Sequence, residues 1–346
     1  MQQQKGGRRR GSRVTRADVA KLAGVSTATV SYVLNNTNKV PEPTATRVLD
    51  AAKQLRYRPN QIARSLVTNE SKQLAIVLNN IANPIYSDLI LGFENDAIQH
   101  GYFVNICTGN RNVDDYFDNF ASRGLDGLFI EVLPYKYHTE KLSELLDADI
   151  RMVVFGNIGI DLKTISCLET DYIDAMAQAV EHLSGLGHER IVHVSGLDEA
   201  HSFDRRIDGY LRAMAKTVPR AEPVVIAPQE NLLTSIDDGY ELTRRLLSTR
   251  RSFTAVICTN DLMAIGAMRA LTDQGRRVPQ DVSVVGIDNA YVSQLCSPTL
   301  TTLATDYRAL GSRAFQMLYG DLTTDTKGFY LNRASLITRE STGPVR

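Results

Sequence analysis

Short apolar segments rich in β-branched residues alternate with amphipathic stretches of helical length from residue 73 onward. Eight strands are predicted, at 74–78, 102–107, 127–130, 152–155, 191–194, 224–226, 255–258 and 282–287. The predicted helices between them include 88–100, 172–185, 204–216, 237–247 and 262–274. This alternation is typical of parallel sheets covered by helices on both faces. Eight strands fit two doubly wound α/β lobes better than one, with a cleft where the strand ends meet.

The chain before residue 60 has a different pattern, that of a small all-α unit. Thr15 stands three residues before Asp18, which predicts a capping box that opens a first helix. Gly24 ends that helix, and Ser26 is placed to cap a second helix over 27–34. Two short helices joined by a glycine turn indicate a helix-turn-helix.

Each helix of this unit has one apolar face, and a third helix is predicted from about residue 44 to 55. The residues expected to face inward are Val19, Ala20, Leu22, Val30, Val33, Leu34, Val48, Leu49, Ala52 and Leu55. The second helix leaves Thr27, Ala28, Ser31 and Tyr32 on its outer face.

The net charge of zero conceals a partition along the chain. Residues 1–68 contain 13 Lys and Arg against 3 Asp and Glu, a net charge of +10, and the remaining residues carry −10. A basic surface can be simply solvated, but this asymmetry favours nucleic acid as a partner. Residues 1–12 are expected to form a disordered basic tail whose arginines can approach phosphates.

Several function classes lack support in the sequence. The four cysteines lie far apart without a CxxC pair, which disfavours zinc and disulfides, and we expect them to be reduced. We find no GxSxG, P-loop, GxGxxG or HExxH motif, so an enzyme is disfavoured and no cofactor or metal is expected. Without an apolar run of 18 residues or a signal peptide, we expect a cytoplasmic protein and not an exported solute-binding protein.

The chain resembles the lac-repressor family over most of its length. The resemblance rests on TRADVAKLAGVSTATVSYVLN at 15–35, YRPN at 57–60, ARSL at 63–66, NP at 83–84, GY at 101–102, DG at 126–127, HL at 182–183, GH at 187–188, RIDGY at 206–210, ND at 260–261, VVGID at 284–288 and PTLTT at 298–302. An ordered series of motifs is far more specific than the helix-turn-helix motif alone. It implies a bacterial repressor that binds a palindromic double-stranded DNA operator as a homodimer.

The resemblance implies that the second helix enters the major groove. The implied base-reading residues are Thr27, Ala28, Ser31 and Tyr32, and the implied backbone contacts are Thr15, Ser26, Thr29 and Asn35. Alternatively, Tyr32 packs on the sugar-phosphate wall, and Ser26, Thr29, Ser31 and Asn35 serve as phosphate contacts or caps. Tyr32 stands where Arg is common in the family, so no operator sequence can be transferred.

Residues 60–67 are helical in pattern but span only about two turns, too few to be stable alone in water. The resemblance implies a hinge helix in the minor groove, formed by Asn60, Ala63, Arg64 and Leu66. Leu66 matches the leucine that is wedged between central base pairs and kinks the duplex. Alternatively, Leu66 is an ordinary contact between domains.

The resemblance implies a body like a periplasmic binding protein, with a small molecule in the cleft. The implied effector contacts are Tyr86, Asn157, Ser202, Arg206, Asn260 and Asp288, with the Arg-x-x-Gly-Tyr spacing selecting Arg206 over Arg205. An Arg and an Asp on opposite lips suit a sugar or sugar derivative. Alternatively, Arg206 pairs with Asp288, and Asn260 caps a helix.

The expected domains are a helix-turn-helix unit at 13–59, a hinge and linker at 60–72, and a body at 73–346. One lobe is expected at about 73–167 and 303–328, and the other at about 168–302 and 329–346. Cleft closure would alter the spacing of the paired hinges and thereby link effector to DNA. Because no leucine heptads follow Thr338, a dimer is expected and not a tetramer.

Overall fold

The computed structural model of the protein describes residues 14–34, 39–58, 70–108, 112–131, 138, 140–156, 161, 163–197, 205–230 and 234–346. The chain separates into two units, Met1–Ser71 and Lys72–Arg346. None of the helices in these described ranges is long and apolar enough to cross a membrane. The predicted basic tail and the predicted hinge helix lie outside the described residues.

The first unit contains helices α1 (Arg16–Ala23), α2 (Thr27–Leu34) and α3 (Glu42–Gln54). The capping box is confirmed by two hydrogen bonds. The Thr15 side chain accepts one from the Asp18 backbone amide, and the Asp18 carboxylate accepts the other from the Thr15 backbone amide. Gly24 takes the left-handed conformation, with φ of 67°, that ends a helix most easily without a Cβ atom. The buried core is Val19, Ala20, Ala23, Val30, Val48, Ala51 and Ala52.

Two predicted core residues of this unit are exposed. Leu22 and Leu49 keep 46% and 53% of their surface accessible. The buried positions of α1 are 19, 20 and 23, and those of α3 are 48, 51 and 52, so each helix buries one narrow stripe. Leu22 and Leu49 lie beside those stripes, and their prediction as inward-facing residues was wrong.

The described part of the second unit contains twelve strands in two sheets. The strands are β1 (Gln73–Leu78), β2 (Phe103–Thr108), β3 (Gly127–Glu131), β4 (Arg151–Phe155), β5 (Ser166–Thr170), β6 (Ile191–Val194), β7 (Val224–Ile226), β8 (Ala255–Cys258), β9 (Ser283–Asp288), β10 (Thr301–Ala304), β11 (Phe329–Asn332) and β12 (Ser335–Ile337). Their orders are β11-β5-β4-β3-β1-β2 and β12-β10-β9-β8-β6-β7. All pairs are parallel except β10 with β12, which confirms two parallel α/β sheets.

The eight predicted strands are confirmed to within one residue at each end, and β5, β10, β11 and β12 were missed. The described helices of this unit are α4 (Ile85–Gln99), α5 (Val113–Arg123), α6 (Glu140–Asp147), α7 (Tyr172–Gly185), α8 (Arg205–Thr217), α9 (Ile236–Ser248), α10 (Asp261–Asp273) and α11 (Tyr307–Thr324). The five predicted helices are among them. A short 3-10 helix, Tyr291–Gln294, follows β9.

The chain crosses between the sheets after β5, after β10 and after β11. The predicted lobe boundaries therefore need correction. Strand β5 extends the first lobe to Thr170, and β10 extends the second lobe to Ala304. Strand β11, expected in the second lobe, pairs with β5 in the first sheet. Two of these strands contain polar residues, as in SCLET and FYLN, and are recognisable only by their sheet partners.

Helices α4 and α11 lie against each other on the first sheet because glycines allow a close approach. A Cβ atom at Gly92 would collide with the Arg308 carbonyl, and one at Gly311 would collide with the Leu89 carbonyl. The amino ends of these two helices carry Tyr86 and Tyr307. The glycines thus fix the positions of both tyrosines relative to the strand ends.

Candidate functional site

The outer face of α2 is the candidate DNA-reading surface. Thr27 and Ala28 are exposed, and Tyr32 keeps 45% of its surface accessible. The Lys39 ammonium lies 5.6 Å from the centre of the Tyr32 ring. This face therefore combines small polar and apolar groups that can contact base edges with a cation beside an aromatic ring.

The hydroxyl groups around α2 are already engaged within the unit. The Ser26 side chain accepts a hydrogen bond from the Thr29 amide at 3.0 Å and shares a second with the Thr29 hydroxyl at 2.9 Å. Ser31 accepts a hydrogen bond from Arg16 at 3.3 Å. The prediction that Ser26 caps the second helix is confirmed by its bond with the Thr29 amide.

Seven predicted site residues lie outside the described part of the chain. They are Asn35, the hinge residues Asn60, Ala63, Arg64 and Leu66, and the effector candidates Asn157 and Ser202. The assignments made to them remain predictions.

The carboxyl ends of the strands in both lobes form the candidate effector site. Glu131 and Asp288 are the last residues of β3 and β9, and Asn79 follows β1 directly. Tyr86, Tyr172, Arg206 and Tyr307 lie within the first two residues of α4, α7, α8 and α11. Strand ends and helix starts of a doubly wound sheet share one edge, which is where such folds bind ligands.

Asp288 is buried and accepts a hydrogen bond from the Tyr307 hydroxyl at 2.6 Å. Its φ of 113° is a conformation that residues with a side chain rarely adopt, and Asn289 follows with φ of 60°. The Asn289 side chain accepts a hydrogen bond from Arg339 at 2.6 Å. Such strain costs about 1–3 kcal/mol and is more frequent at functional sites than elsewhere.

Arg206 of α8 and Asp288 of β9 both belong to the second lobe, so their predicted placement on opposite lips of the cleft was wrong. The Arg206 guanidinium donates to the Thr259 carbonyl at 2.8 Å and stacks 4.7 Å from the centre of the Tyr172 ring. The neighbouring Arg205 points elsewhere and pairs with the buried Glu169 of β5 at 3.4 Å. Since β5 and α8 belong to different lobes, Arg205 and Glu169 form an ion pair between the lobes.

The partly buried Glu131 and the buried Tyr86 form a second pair on the side of the first lobe. The Tyr86 hydroxyl forms a hydrogen bond with the Glu131 carboxylate. The carboxylate also accepts a hydrogen bond from the backbone amide of Asn79 at 3.3 Å. Burial, and secondarily the charge of Asp288, raise the pKa of Glu131 to about 7. Burial and the nearby Glu131 likewise raise the pKa of Tyr86 well above its ordinary value.

Asn260 occupies a structural position beside this cluster. Its side-chain oxygen accepts the Met263 amide at 2.8 Å, which caps α10, and its amide nitrogen donates to the Thr234 carbonyl at 3.0 Å. The alternative prediction that Asn260 caps a helix is confirmed. The next residue, Asp261, supports the Asp288 turn by accepting the Ala290 amide at 2.7 Å.

Sequence reasoning missed Glu131, Tyr172 and Tyr307 as members of this cluster. Glu131 is the last residue of β3, and Tyr172 and Tyr307 are the first residues of α7 and α11. A polar residue that closes an apolar strand, such as Glu131 after GLFI, is the signal that could have found one of them. The tyrosines carried no comparable signal.

A cavity of about 520 Å³ lies beside two of the crossovers. Its lining includes Asp88, Asn289, Tyr307, Arg308 and Arg333. No group of three His, Cys, Asp or Glu side chains able to hold a metal occurs within the described ranges. His188 bonds instead to Thr254 and to the Gly343 carbonyl, and so anchors the C-terminal segment.

Comparisons with known proteins agree with this architecture. The model for bacterial regulatory proteins of the lacI family matches residues 15–60, and the periplasmic binding protein-like domain matches 180–342. The HTH-type transcriptional repressor PurR of Mannheimia succiniciproducens is 33% identical over 311 residues, 87% of this chain and 90% of the relative. PurR of Histophilus somni is 33% identical over 309 residues, with the same coverage.

Two solved structures resemble the whole chain. The lac repressor dimer bound to operator and the anti-inducer ONPF is 27% identical, with a TM-score of 0.83, and covers 96% of this chain and 100% of its own. The complex of the regulator CelR with cellobiose is 27% identical, with a TM-score of 0.69, and covers 95% and 100%.

A helix-turn-helix unit joined to a two-lobed, effector-binding body defines a DNA-binding transcriptional repressor. The identity and the coverage make the assignment specific. The chain belongs to the lacI family of bacterial regulatory proteins.

Proposed function

We propose that the protein binds a palindromic operator in the bacterial cytoplasm as a homodimer and is controlled by a sugar or sugar derivative in the interlobe cleft. The observation that carries the proposal is the convergence of Asp288, Arg206 and Glu131 with three tyrosines at the strand ends of both lobes. A ligand held there contacts both lobes at once, so its binding favours the closed arrangement. Closure would change the spacing of the two hinges and hence operator affinity.

Thr27, Ala28, Ser31 and Tyr32 are proposed to read base edges, and Thr15, Ser26, Thr29 and Asn35 to contact the backbone. Tyr32→Ala should weaken specific operator binding about 10- to 100-fold and leave nonspecific binding nearly unchanged. Leu49→Ala, also on the exposed surface of this unit, is the matched control. Equal losses on operator and random DNA would remove Tyr32 from the reading surface.

The segment with Asn60, Ala63, Arg64 and Leu66 is proposed to fold in the minor groove when two subunits share an operator. Leu66→Ser should reduce specific binding far more than nonspecific binding, because only the specific complex contains the kinked step. Fluorescence anisotropy with operator and scrambled duplexes measures both. Identical losses would contradict the wedge.

A sugar-like effector is supported by the charged hydrogen-bonding groups of Arg206 and Asp288 beside the Tyr172 and Tyr307 rings. Tyr86, Asn157, Ser202 and Asn260 are the remaining proposed contacts. The cellobiose complex of CelR is a precedent for this class of ligand. A purine is the second candidate, because relatives named PurR match the chain at 33% identity and aromatic rings can also stack on a base.

Purified protein should be screened by thermal shift with mono- and disaccharides and with purine bases. Each compound that raises the melting temperature is then tested for its effect on operator binding. A sugar that does both supports the first candidate, and a purine that does both selects the second. Stabilisation by neither class contradicts both assignments.

The homodimer is supported by exposed apolar side chains on both lobes. Phe103 and Ile106 of edge strand β2 are 66% and 45% exposed, Ile98 of α4 is 61% exposed, and Leu295 after the 3-10 helix is 74% exposed. Exposed apolar side chains that group into a patch are typical of protein–protein interfaces. Phe103→Lys should shift sedimentation toward a monomer, whereas Ile236→Lys, on an exposed part of α9, should not.

A further inference from the structure

Three charged groups from three elements converge in the cleft, and their charges do not balance. Glu131 ends β3, Asp288 ends β9, and Arg206 begins α8. The Glu131 carboxylate interacts electrostatically with both Arg206 and Asp288. With both carboxylates ionised, this trio carries a net charge of −1 in a poorly solvated place, where uncompensated charge is unfavourable.

Hydrogen-bond acceptors also exceed donors around Glu131. The carboxylate accepts hydrogen bonds from the Tyr86 hydroxyl and from the backbone amide of Asn79. These bonds use two of the roughly four acceptor positions that a carboxylate offers. The side-chain oxygen of Asn79 is buried, and no group in the described part of the chain donates to it. A buried acceptor without a donor is unfavourable, so a ligand that brings N–H donors would be favoured here.

We propose that the effector carries a protonated amine that binds between Glu131 and the Asn79 side chain, as in an amino sugar. This inference rests on the proposed function and specifies its ligand. The amine supplies the missing positive charge and several N–H donors, while its ring hydroxyls bind Asp288 and Arg206. A neutral sugar satisfies these acceptors only in part and leaves the charge uncompensated.

Neutralisation of Glu131 by a proton is the alternative to a cationic ligand, and the two differ in their pH dependence. Burial and Asp288 raise the pKa of Glu131 to about 7, while Tyr86, Asn79 and Arg206 oppose that rise. An ammonium ion favours the ionised carboxylate, so its binding near pH 7 should release a proton. Amine affinity should therefore fall as the pH falls below 7, up to tenfold per pH unit.

The first experiment compares matched sugars on the full-length protein by isothermal titration calorimetry. Glucosamine, galactosamine and mannosamine are each tested against the parent hexose, and hypoxanthine and guanine serve as neutral planar ligands. We expect at least one amino sugar to bind about 10- to 100-fold more tightly than its parent, the range of a charge-assisted hydrogen bond. Equal or tighter binding of the neutral member in every pair, or binding of a purine alone, overturns the proposal.

The second experiment tests the role of Glu131. Glu131→Gln should remove the preference for the amine, whereas Glu241→Gln, on the exposed face of α9, should retain it. Retention of the preference in Glu131→Gln overturns the proposal. Should Glu131→Gln fail to fold, the wild-type protein provides the test. Titration in buffers of different ionisation enthalpy measures the protons released when the amine binds. The absence of proton release contradicts the proposal.

The outcomes also separate this inference from the proposed function. A protein that binds a neutral sugar and responds on operator DNA retains its function and refutes only the amine. A protein that binds the amine but no specific duplex refutes the function and retains the ligand assignment. Failure of every amine in the panel counts against the inference alone.

Discussion

The four proposed DNA-reading residues lie within six positions, 27–32, on one helix. The cleft groups instead come from elements spread between Asn79 and Tyr307. The first unit presents its functional surface on a local motif with a core of seven buried residues. The second builds its site from strand ends that meet only after two six-stranded sheets have formed. Local signals thus suffice for one surface, and long-range topology determines the other.

The difference also concerns stability. The first unit is small, and units of this size have marginal stability because they bury little apolar surface. The second unit has four large clusters of buried residues and can tolerate strain at Asp288 and a raised pKa at Glu131. We therefore expect similar local changes to have unequal consequences in the two units.

The largest effect is expected from Val48→Asp in the first unit. Val48 is fully buried, and a carboxylate there should cost more than about 4 kcal/mol, enough to unfold the unit. Operator binding should be lost while the calorimetric transition of the second unit is unchanged. The control Leu49→Asp, at a half-exposed position, should retain folding and binding. A loss of both transitions in Val48→Asp would contradict independent units.

Glu131→Gln tests the strain in the second unit. Because the folded pKa of about 7 exceeds the ordinary 4.5, the wild-type unit binds the proton more tightly than the unfolded chain does. Its unfolding free energy should therefore fall, relative to Glu131→Gln, as the pH rises from 4.5 through 7, by on the order of 3 kcal/mol in total. Urea unfolding at pH 5, 6, 7 and 8 measures this difference. A difference independent of pH would contradict the strain.

The ion pair between Arg205 and Glu169 should matter more than an exposed pair. Arg205→Met leaves the buried Glu169 carboxylate without its cation and should reduce the unfolding free energy by about 2 kcal/mol. Arg212→Met removes a partner of the exposed Asp208 and should cost less than about 0.5 kcal/mol. Chemical denaturation of both variants makes the comparison. Equal effects would show that Arg205 does not compensate a buried charge.

The smallest effects are expected from two matched helix caps. Ser26→Ala in the first unit and Ser235→Ala in the second should each cost about 1 kcal/mol. The melting temperature of the first unit should nevertheless fall by about 4–8 °C and that of the larger unit by about 2–4 °C, because the entropy of unfolding grows with size. Scanning calorimetry resolves the two. A larger fall in the melting temperature of the second unit would contradict this prediction.

The same contrast explains what the sequence could predict. Thr15 and Gly24 carry local signals, and the ends of α1 follow from them. Eight apolar strands were predictable because burial on both faces requires continuous apolar segments. Strand β5 was not predictable, because SCLET depends on β4 and β11 as partners and reads as a loop by itself.

The effector cluster was only partly predictable for a related reason. Arg206 and Asp288 were assigned from the family resemblance, and their neighbours in space could not be assigned from spacing. Glu131 and Asp288 are 157 positions apart in the chain, and only the crossovers between sheets bring them into electrostatic contact. Leu22 and Leu49 show a limit of local signals. An apolar pattern does not distinguish residues at the centre of a narrow buried stripe from those at its exposed edge.

Selection of duplexes from a random library by the purified protein tests the central claim most directly. A dimeric repressor should enrich one two-fold symmetric site and bind it at least about 1,000-fold more tightly than a scrambled duplex at physiological salt. Binding that shows no enriched site, equal affinity for all duplexes and complete loss on raising the salt would contradict the claim.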